Sequence, residues 1–527
     1  MPMTIQDLFA RAGEAADRIE GDREVTTMTM DSRRAKTGAL FVCMPSKNSD
    51  SNAFIPAAAE KGASGVLTFS TEGFESARKL GLAAALLSED MYQESLWKLC
   101  KIAFGNPSAS MKVIGVTGTN GKTTTAWLIR DMLKAIGLKA AYLGTLGFQL
   151  PDEERELNNT TPFAIELNEL LAEARDKGVE AIAMEVSSHA LAEKRVDGIE
   201  FDAAVFTNLT QDHLDFHGSM EAYEAAKLRL FTDLPQQSDK RFVGAINVDD
   251  AAGRSIAEKL SSPLIEFRQG SDPREFDLDD GLQIHAGLRT EIEGKQELVI
   301  EASSVQVDSL DLQFYALGMA ADHTATIKVP LGGAYNVENS ASAAAGLLAL
   351  GFTLDGVSYS LPQVRPVPGR FEPVQNDQGI GILVDYAHTP DALEKLLDAV
   401  RPLTKGRVIT VFGCGGDRDR TKRPKMAKAA SERSDITVVT SDNPRTEDRQ
   451  AILDEVLTGI VAGRESVDII DRREAIAHAI KIAVPGDVVV IAGKGHENYQ
   501  IIGRTKYPMD DREMAREGLA KKGVVQA

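Results

Sequence analysis

The chain has 527 residues, about three and a half domain lengths. With 43% hydrophobic and 26% charged residues it has the composition of a folded protein and not of a disordered one. Its 59 basic and 78 acidic side chains leave a net charge of −19, which excludes nucleic acid and anionic membranes as general partners but permits a local basic pocket for a small anion.

The amino-terminal segment MPMTIQDLFARAGEAADRIEGD is amphipathic and charged, unlike a secretory leader. Ala39–Cys43 and Gly65–Phe69 are expected strands, with AAAEKGA helical between them. Asn106-Pro107-Ser108 is a break. A new strand, Lys112–Thr117, follows and runs into a glycine-rich loop and the helix TTTAWLIRDMLKAIG. Ala181–Val186 and Ala203–Thr207 are further buried strands. Residues 281–330 alternate, as in SVQVDSLDLQF and TATIKV, which predicts a patch of antiparallel sheet. Ser340–Leu350 is a helix of small residues, and LPQVRPVPGRFE, with Pro362, Pro366 and Pro368, is a linker.

Beyond the linker, Ile380–Asp385, Val408–Phe412, Ile436–Thr440 and Asp487–Ile491 are Val/Ile-rich runs separated by helical stretches, the pattern of a doubly wound parallel sheet. Each run ends in a polar cluster: DYAHTPD, GCGGDRD, SDNPR and AGKGHE. Ligands bind at the carboxyl ends of such strands, so the clusters are expected to form one site. The fold class is α/β with three domains: a small α/β domain over 1–108, a central P-loop NTPase-like parallel sheet with an antiparallel patch over 109–362, and a Rossmann-like doubly wound sheet over 363–527. Cys43, Cys100 and Cys414 are too scattered for a disulfide framework or a cysteine zinc site. No apolar run reaches the roughly 18 residues of a membrane span. A cytoplasmic small-molecule enzyme is expected.

Gly115, Gly118, Thr119, Asn120, Gly121, Lys122, Thr123 and Thr124 lie between strand and helix. Backbone N–H groups of such a turn face a polyphosphate, and the helix N-terminus adds partial positive charge. Lys122 would reach the β/γ-phosphates of ATP and Thr123 would ligate Mg²⁺. The usual G-x-x-x-x-G-K-[ST] spacing puts glycine where Val116 stands, but lysine and hydroxyl keep their register. Glu185, at a strand end, is either a Mg²⁺ ligand or a cap of the following helix. His213 and His217, four apart, could sit on a helix and bind zinc; the following Gly218-Ser219 favours a loop, one histidine contributing and the other packing. Lys227 falls beside the apolar stripe Met220, Tyr223, Ala226, Leu230. It is either a solvated lysine or a half-buried one of depressed pKa, able to trap CO₂ as a carbamate.

GVTGTNGKTTT, MEVSSHAL, NLTQDHLDFHG, YEAAKLRLF, GAYNVENSASA, PGRFE, VDYAHTPDAL, GCGGDRDRTKRP, SDNPRTED and AGKGHE together resemble the Mur ligases of peptidoglycan synthesis, over nearly the whole chain and in family order. The likeness is weaker before Gly115, where Asp31-Ser32-Arg33 and GALFV carry it; the 240–330 stretch is longer than usual for the family. The resemblance implies an ATP-dependent amide ligase that adds meso-2,6-diaminopimelate to UDP-N-acetylmuramoyl-L-alanyl-D-glutamate through an acyl phosphate, acting as a monomer. It implies that Ser32 touches the uridine, and that Thr160, Thr161, Ser187 and Arg195 hold the muramoyl dipeptide. Thr123, Glu185, His213 and Lys227 (as a carbamate) would ligate Mg²⁺, with Lys122, Glu185, His213 and Lys227 the catalytic set. Asn336, Asn339, Arg370, Asp385 and His388 would serve ATP. Arg418, Asp442, Asn443, Pro444, Arg445, Gly493 and Glu497 would select the amino acid. The arginine of DNPR suits a second carboxylate, which a guanidinium clamps with paired hydrogen bonds. The same reaction with L-lysine, a folylpolyglutamate synthase-like ligase and a non-catalytic nucleotide-binding switch are the alternatives.

Overall fold

A computed structural model describes residues 2–45, 50–270, 295–317 and 323–526. The amino-terminal sheet has five strands: β1 (Arg18–Glu20), β2 (Thr27–Thr29), β3 (Ala39–Val42), β4 (Gly65–Thr68) and β5 (Ala83–Leu86), in the order β1-β5-β4-β3-β2. Alternating apolar faces build two small cores, one around Phe41, Val66 and Phe74, the other around Phe9, Leu40 and Tyr92.

The central sheet comprises β6 (Lys112–Thr117), β7 (Ala140–Gly144), β8 (Gly147–Gln149), β9 (Glu154–Arg155), β10 (Ala181–Glu185), β11 (Ala203–Phe206), β12 (Val243–Asn247), β13 (Leu264–Gln269), β14 (Lys295–Val305), β15 (Leu310–Leu317) and β16 (His323–Val329). Their order is β9-β8-β7-β10-β6-β11-β12-β13-β14-β15-β16. The strands from β7 to β14 run parallel, whereas β14, β15 and β16 pair antiparallel. The expected antiparallel patch is therefore present over the described part of 281–330; residues 281–294 and 318–322 lie outside the described residues.

Helix α1 (Lys122–Ala135) opens directly from the glycine-rich loop, α2 (Met220–Thr232) carries Lys227, and α3 (Tyr335–Ala349) crosses the sheet. The small side chains of α3 allow close approach: a Cβ on Gly346 would meet Ile129 and Val205 at 2.9 Å. In the middle of the sheet, β10 and β11 flank β6 in parallel register, Glu185 opposite Val116 and Phe206 opposite Thr117. Glu185 and residues 207–210 thus stand on either side of the glycine-rich loop.

The carboxyl-terminal sheet has β17 (Glu372–Pro373), β18 (Gly381–Asp385), β19 (Val408–Cys414), β20 (Ile436–Ser441), β21 (Glu465–Asp468) and β22 (Val488–Ala492), ordered β17-β18-β22-β19-β20-β21. All pairs are parallel except β17–β18. Strands β18, β22, β19 and β20 are consecutive neighbours, so their four polar clusters share one edge. A hairpin, β23 (Tyr499–Ile502) and β24 (Thr505–Pro508), extends from the last cluster. Among the described residues no helix is long and apolar enough to cross a membrane.

Candidate active site

Gly121, at φ 85°, is the N-cap of α1, a left-handed conformation that favours glycine. Its missing Cβ leaves room for Asn339 Oδ1, 2.5 Å from where that Cβ would stand. A Cβ on Gly118 would strike the Thr207 hydroxyl. Gly115 corrects the expectation that it faces phosphate: it lies inside β6, where a Cβ would meet the Phe201 ring at 2.9 Å and Val186 at 3.2 Å. Packing between strand and ring, not ligand approach, explains that glycine. The loop is fastened by Asn208, whose backbone oxygen accepts from Thr119 N at 2.8 Å and whose Oδ1 accepts from Asn120 N at 2.9 Å. Thr124 is buried behind it.

Lys122 Nζ donates to Gly118 O at 3.0 Å and Thr119 O at 2.9 Å. Burial holds its ammonium below the usual lysine range, opposed by Glu185 and Asp212. Thr123 Oγ1 donates to Glu185 Oε2 at 3.0 Å. Glu185 also accepts from Thr145 N at 2.8 Å and from the Tyr142 hydroxyl. Its carboxylate therefore faces the loop and does not cap the next helix, a role taken by Ser187, whose hydroxyl accepts from Ala190 N. Burial and the Glu185 charge push the Tyr142 phenol well above its usual pKa.

Lys227 is 1% exposed. Its Nζ donates to Gly118 O at 2.7 Å and lies 4.6 Å from the Tyr223 ring centroid. Burial, then the Lys122 charge, depress its ammonium well below the ordinary range. Residues 214–217 form one helical turn instead of the expected loop, with His213 as its N-cap at φ 52°. The His213 ring stands 4.8 Å from that of His189 and 6.2 Å from that of Tyr223; His217 packs on Tyr223 at 5.1 Å. No group of three or more His, Cys, Asp or Glu side chains with metal-site geometry occurs among the described residues.

Asn336 Nδ2 donates to Gly332 O at 2.7 Å and its Oδ1 accepts from Asn339 at 2.8 Å. From the carboxyl-terminal side, Asp385 accepts from the backbone N of Phe371 at 2.7 Å and of Ala387 at 2.8 Å. Burial raises its pKa against the Arg370 charge. Arg370 lies 4.8 Å over the Tyr386 ring, and His388 Nδ1 is 2.9 Å from Tyr386 O.

Two cavities flank this centre. One of about 790 Å³, between the amino-terminal and central sheets, is lined by Asp31, Ser32, Arg34, Asn158, Phe163 and Glu169. The second, about 950 Å³, has Thr145, Leu146 and residues 154–158 on the central side and Arg418, Asp442, Asn443, Arg445, Gly493 and Glu497 on the other. Asn158 lines both. Thr160, bonded to Thr145 at 3.2 Å, follows it. The Thr161 hydroxyl donates to Glu185 O at 2.8 Å and accepts from Ser187 N at 3.1 Å, while Arg195 donates to Thr161 O at 3.0 Å. Arg445, at φ 51°, donates to Gly416 O at 2.8 Å, tying DNPR to the loop of Arg418. Pro444 O accepts from Glu447 N in the same turn.

Sequence reasoning missed Tyr142, Thr145, Asn208, Tyr386, Lys494 and His496. Asn208 lies inside NLTQDHLDFHG, Tyr386 inside DYAHTPD, and Lys494 and His496 inside AGKGHE, whereas Tyr142 and Thr145 carried no such signal. Burial and the Arg370 charge push the His496 imidazole down to about 4.

Two family descriptions match this architecture: Mur ligase middle domain over residues 116–347, and Mur ligase, glutamate ligase domain over 369–495. The UDP-N-acetylmuramoyl-L-alanyl-D-glutamate--2,6-diaminopimelate ligase of Gloeobacter violaceus is 42% identical over 522 residues, 99% of each chain. The ligase of the same name from Syntrophomonas wolfei is 42% identical over 95% of this chain and 96% of its own. A solved ligase of that name matches with a TM-score of 0.65 at 30% identity, over 99% of this chain and 100% of its own. The folylpolyglutamate synthase of Thermotoga maritima, with a TM-score of 0.52 at 16% identity over 75% of this chain and 89% of its own, shares the fold alone. Kinship over the full length, spanning both the loop-bearing sheet and the sheet that carries DNPR, means that the chain belongs to the Mur ligase family.

Proposed function

We propose that the protein is a cytoplasmic, ATP-dependent ligase of peptidoglycan precursor synthesis that joins meso-2,6-diaminopimelate to UDP-N-acetylmuramoyl-L-alanyl-D-glutamate. One observation carries this reading: Thr145, bonded to Glu185 beside the phosphate loop, lines the same 950 Å³ cavity as Arg418, Asn443, Arg445 and Glu497. A carboxyl group activated next to the loop would therefore be within reach of an amine held on the carboxyl-terminal sheet.

In this reading the domain over 1–108 holds the uridine diphosphate at Ser32, in the 790 Å³ cavity. Thr160, Ser187 and Arg195 lead the dipeptide past Asn158 towards Glu185. The central domain, 109–362, binds ATP, with Asn336 and Asn339 beside the loop and Arg370, Asp385 and His388 closing from 363–527. The D-glutamate side-chain carboxylate attacks the γ-phosphorus, the bond to the β-phosphate oxygen breaks and ADP leaves. Lys122 offsets the charge on the phosphoryl oxygens, a matter of positioning and electrostatics. The amine attacks the acyl phosphate, the new C–N bond forms, the amine loses a proton and phosphate departs.

The donors fit Mg²⁺, a hard cation that takes oxygen ligands: the Thr123 hydroxyl and Glu185 carboxylate are adjacent, and His213 would complete the set. Lys227 as an ammonium could not ligate, but its burial favours the neutral amine, and CO₂ would convert that amine to a carboxylate-like carbamate. Bound there, Mg²⁺ would neutralise phosphate charge. Arg445 and Arg418 favour the dicarboxylic diamino acid over lysine. The separate amino-terminal sheet, with a cavity between it and the central sheet, favours a UDP-linked substrate over folate. Incubation with UDP-N-acetylmuramoyl-L-alanyl-D-glutamate, ATP and Mg²⁺ tests the assignment. Phosphate release should depend on diaminopimelate and not on lysine; amino-acid-independent ATP turnover alone would indicate a nucleotide switch.

A further inference from the structure

Lys494 follows β22 in AGKGHE and is fully buried. It does not line the 950 Å³ cavity, yet two residues that do depend on it. Its Nζ donates to Glu497 Oε2 at 3.0 Å and to Asn443 Oδ1 at 3.2 Å. Asn443 Nδ2 closes the triangle by donating to the same Glu497 Oε2 at 2.9 Å. Both bonds to Glu497 use Oε2, so neither engages Oε1. The Tyr499 ring, 5.5 Å from the ammonium, is its further neighbour. The backbone supports the turn: Glu497 N donates to Lys494 O at 2.9 Å, and Gly493 and Gly495 stand at φ 116° and 52°.

A buried ammonium is expensive to desolvate, and an ion pair of this kind adds little net stability over apolar packing. Its effect on charge is larger. On the carboxyl-terminal side the cavity is lined by Arg418, Lys422, Arg445 and Arg512 against Asp442 and Glu497. Arg512 is already paired with Asp510 and Glu372. Lys494 cancels the Glu497 carboxylate from behind. The Arg418–Arg445 end then stays net positive, while Glu497 keeps one oxygen for an ammonium. Without Lys494 an uncompensated carboxylate would face any ligand carboxylate bound beside Arg445.

We propose that Lys494 is a positioning residue that determines specificity: by holding Asn443 and neutralising Glu497, it makes the cavity accept an amino acid with a second carboxylate and reject one that ends in an ammonium alone. This inference rests on the amino-acid side of the proposed function.

The test measures kcat/KM for diaminopimelate and for lysine in wild type, Lys494→Met, Glu497→Gln and the double variant, with KM for ATP and thermal unfolding alongside. Methionine keeps the apolar stem and removes the charge. In Lys494→Met the diaminopimelate-to-lysine ratio should fall by about ten- to a hundredfold, with KM for ATP unchanged. The double variant, in which neither charge remains, should recover much of that ratio. Should Lys494→Met not fold, Glu497→Gln carries the test with reversed sign: Lys494 then stands unopposed, and lysine use should fall more than diaminopimelate use. Equal losses for both amino acids in the folded variants would mean a merely structural lysine and would overturn the inference. Wild type that turns over neither amino acid, or prefers lysine, would instead refute the functional reading, and the inference with it.

Discussion

Lys122 and Lys227 donate to the same acceptor, the carbonyl oxygen of Gly118, at 3.0 and 2.7 Å. Two ammonium groups on one carbonyl repel, and burial disfavours both charges. Lys227, held by the interior of α2, is the one whose charge is most strongly disfavoured. A residue in that state is suited to carry an acquired negative group. Lys227→Ala should lower phosphate release about a hundredfold or more. A short carboxylic acid such as formate, small enough for the vacated volume, should restore part of it. Lys227→Arg should not respond, because its side chain fills that volume. Rescue that is equal in Lys227→Ala and Lys227→Arg would contradict the carbamate.

Tyr142 and Thr145 orient Glu185 from behind. Outer partners of this kind typically alter metal affinity by about ten- to a hundredfold. Tyr142→Phe should therefore raise the Mg²⁺ concentration for half-maximal activity by about tenfold, with a smaller change in kcat at saturating Mg²⁺. An unchanged Mg²⁺ dependence would show that Thr123 and Thr145 suffice.

Arg445 is positioned by its bond to Gly416 O and by the left-handed backbone at its own position. Removing a guanidinium that clamps a carboxylate should raise KM for diaminopimelate by about tenfold or more, leaving KM for ATP unaltered. Steady-state kinetics on Arg445→Ala would check this; an unaltered KM for diaminopimelate would remove Arg445 from the site.

His496 is depressed from 6.5 to about 4 by burial and by Arg370. Between those values the unfolded chain binds a proton that the folded chain refuses, so stability rises with pH. The contribution is complete above pH 6.5 and is lost as pH falls towards 4, by up to about 3 kcal/mol. Denaturant unfolding of wild type and His496→Gln over this range should show wild type losing stability faster on acidification. Parallel curves would place His496 in a solvated setting.

Much of the centre could be read from local pattern. Lys122 and Thr123 follow a strand and open a helix, and Glu185 ends a strand next to that one. Lys227 was ambiguous because a position beside an apolar stripe does not say what packs there; its partner, Gly118, is 109 residues away. Gly115 falls inside the expected strand Lys112–Thr117, but three evenly spaced glycines look alike in sequence, and nothing local shows that the Phe201 ring, 86 residues on, packs against the first of them. Tyr142 was hidden in the apolar run of β7. The triangle of Lys494, Asn443 and Glu497 was illegible for a similar reason: Asn443 comes from the cluster after β20, which β19 separates from β22, and stands 51 residues before Lys494. The order β18-β22-β19-β20 that unites the clusters is set by packing, not by any single motif.

The central claim is that ATP bound at the loop transfers its γ-phosphoryl group to a substrate carboxyl. The most direct measurement uses UDP-N-acetylmuramoyl-L-alanyl-D-glutamate labelled with oxygen-18 in the glutamate side-chain carboxylate, with ATP, Mg²⁺ and diaminopimelate. Mass spectrometry of the released phosphate should find one labelled oxygen per molecule of amide formed. Unlabelled phosphate accompanying amide formation would contradict carboxyl activation at this site.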